Sequence, residues 1–442
     1  MRVVVAVLLW AASCFGQMSL AEAVKKTSET YPQVRVSLEQ VNAAAEAIKL
    51  ARTAYLPRIE GIAQVNRATR NNIYGMLLPQ AVIAPISGPP NPTNAGTNVW
   101  GSAVGFLVSW EPFDFGLRKA QVDAASAAER RAGEAVKRTR FEAELATAEA
   151  YLTVLAAEQT AQAARASVKR SQTLWQQVAA LVKAELRPGA EESRSRAELA
   201  MAETQRIQAD QAVALARAAL SQFLGTVPAE LKGLGEPPAE AGSDGAHPLV
   251  TEQKAAIDEA AARRRVLDKA YFPKFNAQAA SYARGTGANA DFTTLSGANG
   301  LGPNIYNWGV GFTVNFNVME YASLRVRKEI EAARERAESA RLEQVQRELS
   351  AQEARAQALI AGARQVAANI PVQLEAARAA EQQANARYRA GLGTMAEVAE
   401  AQRLLTQTEI DASLARLGIW RAMLALAAAK GQLSGFLQAA GN

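Results

Sequence analysis

Trp308-Gly309-Val310-Gly311-Phe312-Thr313-Val314-Asn315-Phe316-Asn317-Val318 is apolar at every even position and small or amide-bearing at every odd one. A period of two assigns an extended strand with two chemically different faces. An earlier stretch repeats the pattern: Trp100, Val104, Phe106, Val108 and Trp110 alternate with Gly101, Ala103, Gly105 and Ser109, interrupted on the second face by Leu107. A soluble sandwich also alternates, but three features point to a bilayer. Strands of about 10 residues cross one when tilted. The apolar face carries Trp100, Trp110 and Trp308 near its ends, where an interfacial aromatic girdle lies. The other face suits a wet lumen. Four strands, expected over 58–70, 99–113, 274–284 and 305–318, cannot close a barrel by themselves. An open edge in lipid would leave backbone groups unpaired, so the chain is expected to oligomerise.

Working outward, the strands belong to two copies of one unit. Ala54-Tyr55-Leu56-Pro57-Arg58 returns as Ala270-Tyr271-Phe272-Pro273-Lys274 at an offset of 216, which also carries Tyr31-Pro32 onto His247-Pro248. Farther along, Gly105-Phe106 maps onto Gly311-Phe312 and Gly225 onto Gly431 at an offset of 206, so the second copy is ten residues shorter between its strands. Loop tips tolerate such deletions. The expected organisation is a signal peptide over 1–16, a first repeat over 17–230, a linker over 231–244, a second repeat over 245–436 and a tail over 437–442. The loops 71–98 and 285–304, rich in Gly, Pro and Asn, read as extracellular.

Between the strand pairs lie very long helices. Pro57 ends a helix expected over 33–55. From Gly116 to about Lys183 the only breaker is Gly133, and a helix of that extent spans roughly 100 Å. In the second repeat Leu342, Val345, Leu349, Gln352, Ala356, Leu359, Ala363, Val366 and Ile370 follow steps of three and four, a heptad seam. Turns at Leu186-Arg187-Pro188-Gly189 and Gly391-Leu392-Gly393 end the outgoing helices, and returning helices run to about 224 and 430.

Composition excludes much else. Aromatic residues are 6% and charged residues 21%, while Ala, Glu, Gln, Arg and Leu fill most of 115–225 and 320–435, the profile of packed helices rather than an enzyme core. The formal charge is +6, but Lys and Arg interleave with Glu and Asp, so no nucleic-acid patch is expected. Cys14 and His247 are the sole members of their types, which argues against disulfide frameworks, Cys/His metal sites and catalysis by a thiol and an imidazole together. His247 is expected to be structural. No phosphate-cradling glycine loop or Ser/His/Asp set is found, and neither catalysis nor a cofactor is expected. Residues 1–16 read as an export signal cleaved after Gly16. Cys14 is alternatively a lipidation candidate, because Ala11-Ala12-Ser13-Cys14 loosely resembles a lipoprotein box with Ala where Leu is usual. No later stretch reads as the roughly 20 apolar residues of a spanning helix, so membrane passage falls to the strands.

At this point the chain resembles the TolC family of outer-membrane efflux proteins over nearly its whole length. The likeness rests on Ser19-Leu20-Ala21-Glu22-Ala23-Val24 with Tyr31-Pro32, on Ala51-Arg52-Thr53-Ala54-Tyr55-Leu56-Pro57, and on Trp110-Glu111-Pro112-Phe113-Asp114-Phe115-Gly116. Most specific is Tyr388-Arg389-Ala390-Gly391-Leu392-Gly393-Thr394-Met395-Ala396-Glu397-Val398-Ala399-Glu400-Ala401-Gln402, similar to the family's periplasmic-tip motif. The resemblance implies a mainly α protein with a duplicated helix-strand-strand-helix repeat. It would be a homotrimer with a 12-stranded β-barrel continued by an α-helical periplasmic barrel. It further implies a passive exit channel, set in outer-membrane lipid, of a tripartite efflux pump or type I secretion system, exporting small molecules or polypeptides. The partners would be a periplasmic adaptor (membrane fusion) protein and an inner-membrane transporter.

Residue by residue, the resemblance places Glu397 and Glu400 at an acidic entrance ring and Tyr388 at a gate contact. The tip residues Leu186, Arg187, Pro188, Gly189, Gly391, Leu392, Gly393 and Thr394 are physical candidates for docking the adaptor. The family's closed state uses an arginine at the position matching Gly393, and this chain has none there. Two other classes remain open on the residues alone. A periplasmic adaptor has long hairpins but normally only one, and a soluble coiled-coil scaffold accounts for neither the export signal nor the Trp-bounded strands.

Overall fold

The computed structural model describes residues 17–69, 98–238, 245–289 and 293–441. The expected signal peptide, Cys14 and most of the 71–98 loop lie outside the described residues, as does part of the linker.

Helix starts follow local chemistry. Helix α1 (Leu20–Thr30) begins with a capping box in which the Ser19 hydroxyl accepts from the Glu22 amide and the Glu22 carboxylate accepts from the Ser19 amide. Helix α2 (Pro32–Thr53) has proline in its first position, where no intrahelical donor is needed. Strands β1 (Arg58–Thr69) and β2 (Asn98–Phe113) lead into α3 (Leu117–Lys183), 67 residues that run through Gly133 without a break. The returning α4 (Gly189–Leu224) completes the first pass. The second pass comprises α5 (Pro248–Lys269), β3 (Lys274–Thr286), β4 (Ile305–Asn315), α6 (Glu320–Arg389) and α7 (Met395–Lys430), with a short α8 (Ser434–Gly441) after it.

Contacts divide the chain into two units. One comprises residues up to Val41, Ala132–Lys254 and Ala340 onward; the other comprises Asn42–Arg131 and Ala255–Ser339. The second unit holds the sheet, antiparallel throughout in the order β1-β2-β3-β4. Its register pairs Ile59 with Val108, Phe106 with Ser281 and Ser281 with Trp308, so one face collects Ile59, Val65, Val104, Phe106, Val310, Phe312 and Val314. All seven are exposed. The opposite face carries Gln64, Asn66, Gly105, Ser109, Gln278, Asn307 and Thr313. Among the described residues, the outer edges of β1 and β4 have no strand partner.

The fourth strand ends earlier than expected. Pairing stops at Asn315, and the Glu320 amide donates to the Asn317 carbonyl to start α6. Phe316 then packs edge to face with Tyr271 instead of continuing the ladder.

In the first unit the core gathers Leu20, Tyr151, Leu152, Leu220, Trp420 and Phe436. The linker is fastened to it: the Tyr151 hydroxyl reaches the carbonyls of Met18 and Lys232, and the Trp420 indole donates to Gly235. His247 is buried as expected of a structural residue. Its Nδ1 accepts from the Leu249 amide, its Nε2 lies 3.1 Å from the Ala428 carbonyl, and its ring meets Phe141 edge-on. Nδ1 accepting fixes the Nε2-protonated tautomer as donor to Ala428.

Two expectations need correction. Of the seam predicted on α6, Ala356 and Ile370 are buried and Leu342, Val345, Leu349 and Ala363 half-buried, but Gln352, Leu359 and Val366 are exposed, and the neighbouring Glu353, Ile360 and Ala367 are half-buried in their place. The covered stripe still returns every seven residues at Leu349, Ala356, Ala363 and Ile370, and only the alternate positions lie one residue later than the strict seam. Helix α7 does contain an 18-residue window of mean hydropathy 1.3, long and apolar enough to cross a membrane by composition. That window is 44% buried inside the protein. Leucine, isoleucine and alanine toward the end of α7 supply the hydropathy, and Leu417, Ile419, Leu424 and Ala427 are buried in helix packing.

Candidate channel entrance and membrane-facing sheet

Two turns join the outgoing helices α3 and α6 to the returning helices α4 and α7. At the first, the Ala184, Glu185 and Leu186 amides donate to the carbonyls of Ala180, Val182 and Leu181. At the second, the Ala390, Gly391 and Leu392 amides donate to Ala386, Tyr388 and Arg387. Each bond recurs at the offset of 206, giving the same helix-ending motif twice. The left-handed position is Gly391 (φ 75°) in one and Glu185 (φ 57°) in the other.

The chemistry grafted on these turns differs. Tyr388 is buried, packed with Leu174, Val178, Met395 and Val398. Its hydroxyl donates to Glu191 Oε2 at 2.7 Å, its carbonyl accepts from Arg187 Nη2 at 2.9 Å, and the Arg187 guanidinium lies 4.6 Å from its ring centroid. Arg187 and Glu191 also approach each other at 3.8 Å. Burial, and then the Glu191 carboxylate facing the phenol, push the Tyr388 pKa up to about 12. Tyr388 thus fastens the end of α6 to the start of α4.

Glu397 and Glu400 sit on the first turns of α7. Thr394 caps that helix, its hydroxyl accepting from the Glu397 amide. Glu397 Oε2 is 3.9 Å from Arg387, and Glu400 is ion-paired with Arg403. Both carboxylates are exposed, and each has an arginine beside it. Leu186 and Leu392 project at corresponding points of the two turns, 69% and 74% exposed. Pro188 precedes Gly189, the first residue of α4, and Gly393 lies between Leu392 and the Thr394 cap.

The sequence offers Arg187 only as an adaptor-docking candidate and does not single out Glu191. The offset of 206 holds the missing signal, since it maps Arg187 onto Gly393 and Glu191 onto Glu397. The arginine absent from one tip is present on the other.

On the sheet, Trp110 lies where β2 meets the helical segments, its indole donating to the Tyr55 carbonyl at 3.1 Å. Trp100 and Trp308 lie toward the opposite strand ends. Trp308 is 73% exposed, whereas Trp100 is half-covered by Arg67. The helical side also carries a ring cluster that the sequence reading did not name: Phe113, Phe115, Phe272 and Phe275, with centroid separations of 4.6 to 6.1 Å.

Residues 23–226 and 245–432 match the outer membrane efflux protein family. The chain belongs to that family. Its fold recurs in solved channels of low identity. The outer-membrane channel OprN is 19% identical, with a TM-score of 0.71 over 93% of this chain and 89% of that one. The Campylobacter jejuni outer membrane channel CmeC is 13% identical, with a TM-score of 0.76 over 94% and 86%. The Vibrio cholerae outer membrane protein VceC is 15% identical, with a TM-score of 0.73 over 93% and 96%. Among curated proteins no sequence matches. This efflux protein is therefore an outer-membrane channel with a TolC-like fold, its helical segments reaching into the periplasm. The exposed apolar face of the sheet is its lipid-facing wall.

Proposed function

We propose that the protein is the passive exit duct of a tripartite efflux pump, working as a homotrimer with a periplasmic adaptor and an inner-membrane transporter. One observation carries this reading: an apolar-walled sheet whose two outer edges have no partner among the described residues, joined directly to helices of 67 and 70 residues. Closing the sheet requires further copies of the chain, because unpaired backbone groups are costly in lipid. The exposed Leu359 and Val366 on α6 are apolar surface available to such a neighbour. The two tip turns, with Leu186 and Leu392 projecting beside Arg187, Pro188, Gly189, Gly391, Gly393 and Thr394, form the adaptor-docking surface. Tyr388, held by Glu191 and Arg187, is the latch of the closed entrance.

Glu397 and Glu400 act as the cation-attracting lining of that entrance, tempered by Arg387 and Arg403. Repetition around a three-fold axis multiplies both charges. The test is conductance in planar bilayers. The wild type is expected to form pores that open more often when Tyr388→Phe releases the latch. Loss of cation preference is expected in a channel carrying both Glu397→Ala and Glu400→Ala. Pores with unchanged selectivity would reject the acidic lining, and an inserted trimer that never conducts, even with Tyr388→Phe, would reject the latch.

A further inference from the structure

Among the described residues, the lipid-facing wall of this outer-membrane channel is uncharged with one exception. Register places Ile59, Gly61, Ala63, Val65 and Arg67 of β1 on the outward face, beside Trp100, Ser102, Val104, Phe106, Val108 and Trp110 of β2. On β3 and β4 the same face carries Ala277, Ala279, Ser281 and Ala283 opposite Phe312, Val310, Trp308 and Tyr306. Arg67 is the single ionised group among the described outward-facing residues of the four strands.

Its height is informative. Nine residues separate Arg67 from Arg58, where the strand leaves the helical segment; this is about 30 Å of strand. At a tilt of 35–45° it becomes about 21–25 Å of height, the thickness of the apolar band of such barrels. Arg67 therefore lies at the rim of the hydrocarbon on the extracellular side. There the outer leaflet presents phosphorylated sugar headgroups.

The guanidinium is also held in place. Its Nε donates to Asn98 Oδ1 at 2.6 Å, and its carbon lies 5.1 Å from the centroid of the cross-strand partner Trp100. No carboxylate pairs with it among the described residues. Trp100 covers one face and Asn98 takes Nε, which leaves the two Nη groups as a fork suited to bidentate contact with a phosphate. A cation used only to cap a strand end would gain more by facing the aqueous lumen side. On the lipid side its charge needs an anion, and the headgroup supplies one.

We propose that Arg67, positioned by Trp100 and Asn98, binds a phosphate of the outer-leaflet glycolipid and anchors the extracellular rim of the channel in that leaflet. This rests on the outer-membrane placement and not on the pump reading. The test is native mass spectrometry of the detergent-purified full chain titrated with bisphosphorylated lipid A or with the same lipid stripped of its phosphates. Wild-type protein is expected to favour the phosphorylated lipid about tenfold, the size of one charge-assisted contact. Arg67→Gln should abolish the preference and Arg67→Lys retain part of it, with oligomer mass and circular dichroism unchanged. Two results would overturn the proposal: an undiminished preference in Arg67→Gln, or displacement of the lipid by millimolar inorganic phosphate, which would mark a general anion site. Protein that enters no bilayer at all would instead overturn the outer-membrane reading.

Discussion

The two hairpin tips are built on one backbone and carry different chemistry. Each ends its outgoing helix through the same three amide-to-carbonyl bonds. Beyond that turn, the first tip places Arg187 and Glu191, both half-buried, against the buried Tyr388, while the second presents Glu397 and Glu400 to solvent with exposed arginines nearby. An ion or hydrogen-bond partner acts strongly where water is excluded and weakly where it is not. The first tip is therefore held by buried packing and hydrogen bonds, whereas the second presents solvated charge.

Removing the Tyr388 ring should have the largest effect. Tyr388→Ala is expected to cost about 3 kcal/mol locally, read as lost amide-exchange protection around 187–192 and 384–398. Titration tests the same side chain. The phenol should ionise near pH 12 instead of the ordinary 10. Because the unfolded tip releases its proton first, the contact is fully present below pH 10 and is lost as pH rises toward 12. Ultraviolet absorbance of Tyr388→Phe against wild type isolates that group. Ionisation near 10 would break the assignment of a buried, carboxylate-facing hydroxyl.

Next come the two acids. Glu191→Gln is expected to cost about 1–2 kcal/mol by weakening a charge-assisted bond in a half-buried cluster. Glu397→Gln should cost below about 1 kcal/mol, since its ion pair is exposed and long. Equal losses in exchange protection would erase the distinction between the tips. Backbone substitutions sharpen it with opposite signs. Gly391→Ala places a side chain at φ 75° and should cost about 1 kcal/mol. Glu185→Gly relieves comparable strain at φ 57°, and even after glycine's own entropy cost it should gain a few tenths of a kcal/mol.

The smallest change in stability belongs to the projecting leucines. Leu186→Ala and Leu392→Ala should each shift it by less than about 0.5 kcal/mol, while weakening site-specific cross-linking to an adaptor in cells. Undiminished cross-linking would move the docking surface elsewhere. Away from the tips, burial holds the His247 pKa below its ordinary value, only partly offset by the Ala428 carbonyl. The unfolded chain therefore takes up the proton first as pH falls. The stability that the neutral ring contributes is present above about pH 6.5 and declines below it, measurable as a falling melting temperature that His247→Gln removes.

Much of this was legible in the residues. Alternation over 308–315 assigned a strand because side chains of a strand point to opposite faces in turn, and the register then sorted them as the sequence did. The uninterrupted run from Leu117 assigned α3 because no proline breaks it and a lone glycine is a small penalty in a long helix. The end of β4 was not legible, since Phe316 and Val318 keep the alternation after pairing has stopped. Phe316 follows the Tyr271 ring, a contact 45 residues away in the chain. On the α6 seam six of the nine spaced residues are covered, while Gln352, Leu359 and Val366 yield to their neighbours: spacing defines a stripe, but the neighbouring helices decide which edge of it is covered.

By itself, then, the sequence determined what local rules govern: strands by period, helices by unbroken runs and caps, the repeat by its offset, and the family by its tip motif. Tertiary structure decided that Tyr388 is buried against Arg187 and Glu191 of the other turn. It also decided which carboxylates face water, and that Arg67, the one cation among the described lipid-facing residues, is clamped between Trp100 and Asn98. The physical reason is range. Periodicity and capping act within a few residues, whereas the Tyr388–Glu191 and Arg67–Asn98 contacts close loops of 197 and 31 residues, and only packing brings such partners together.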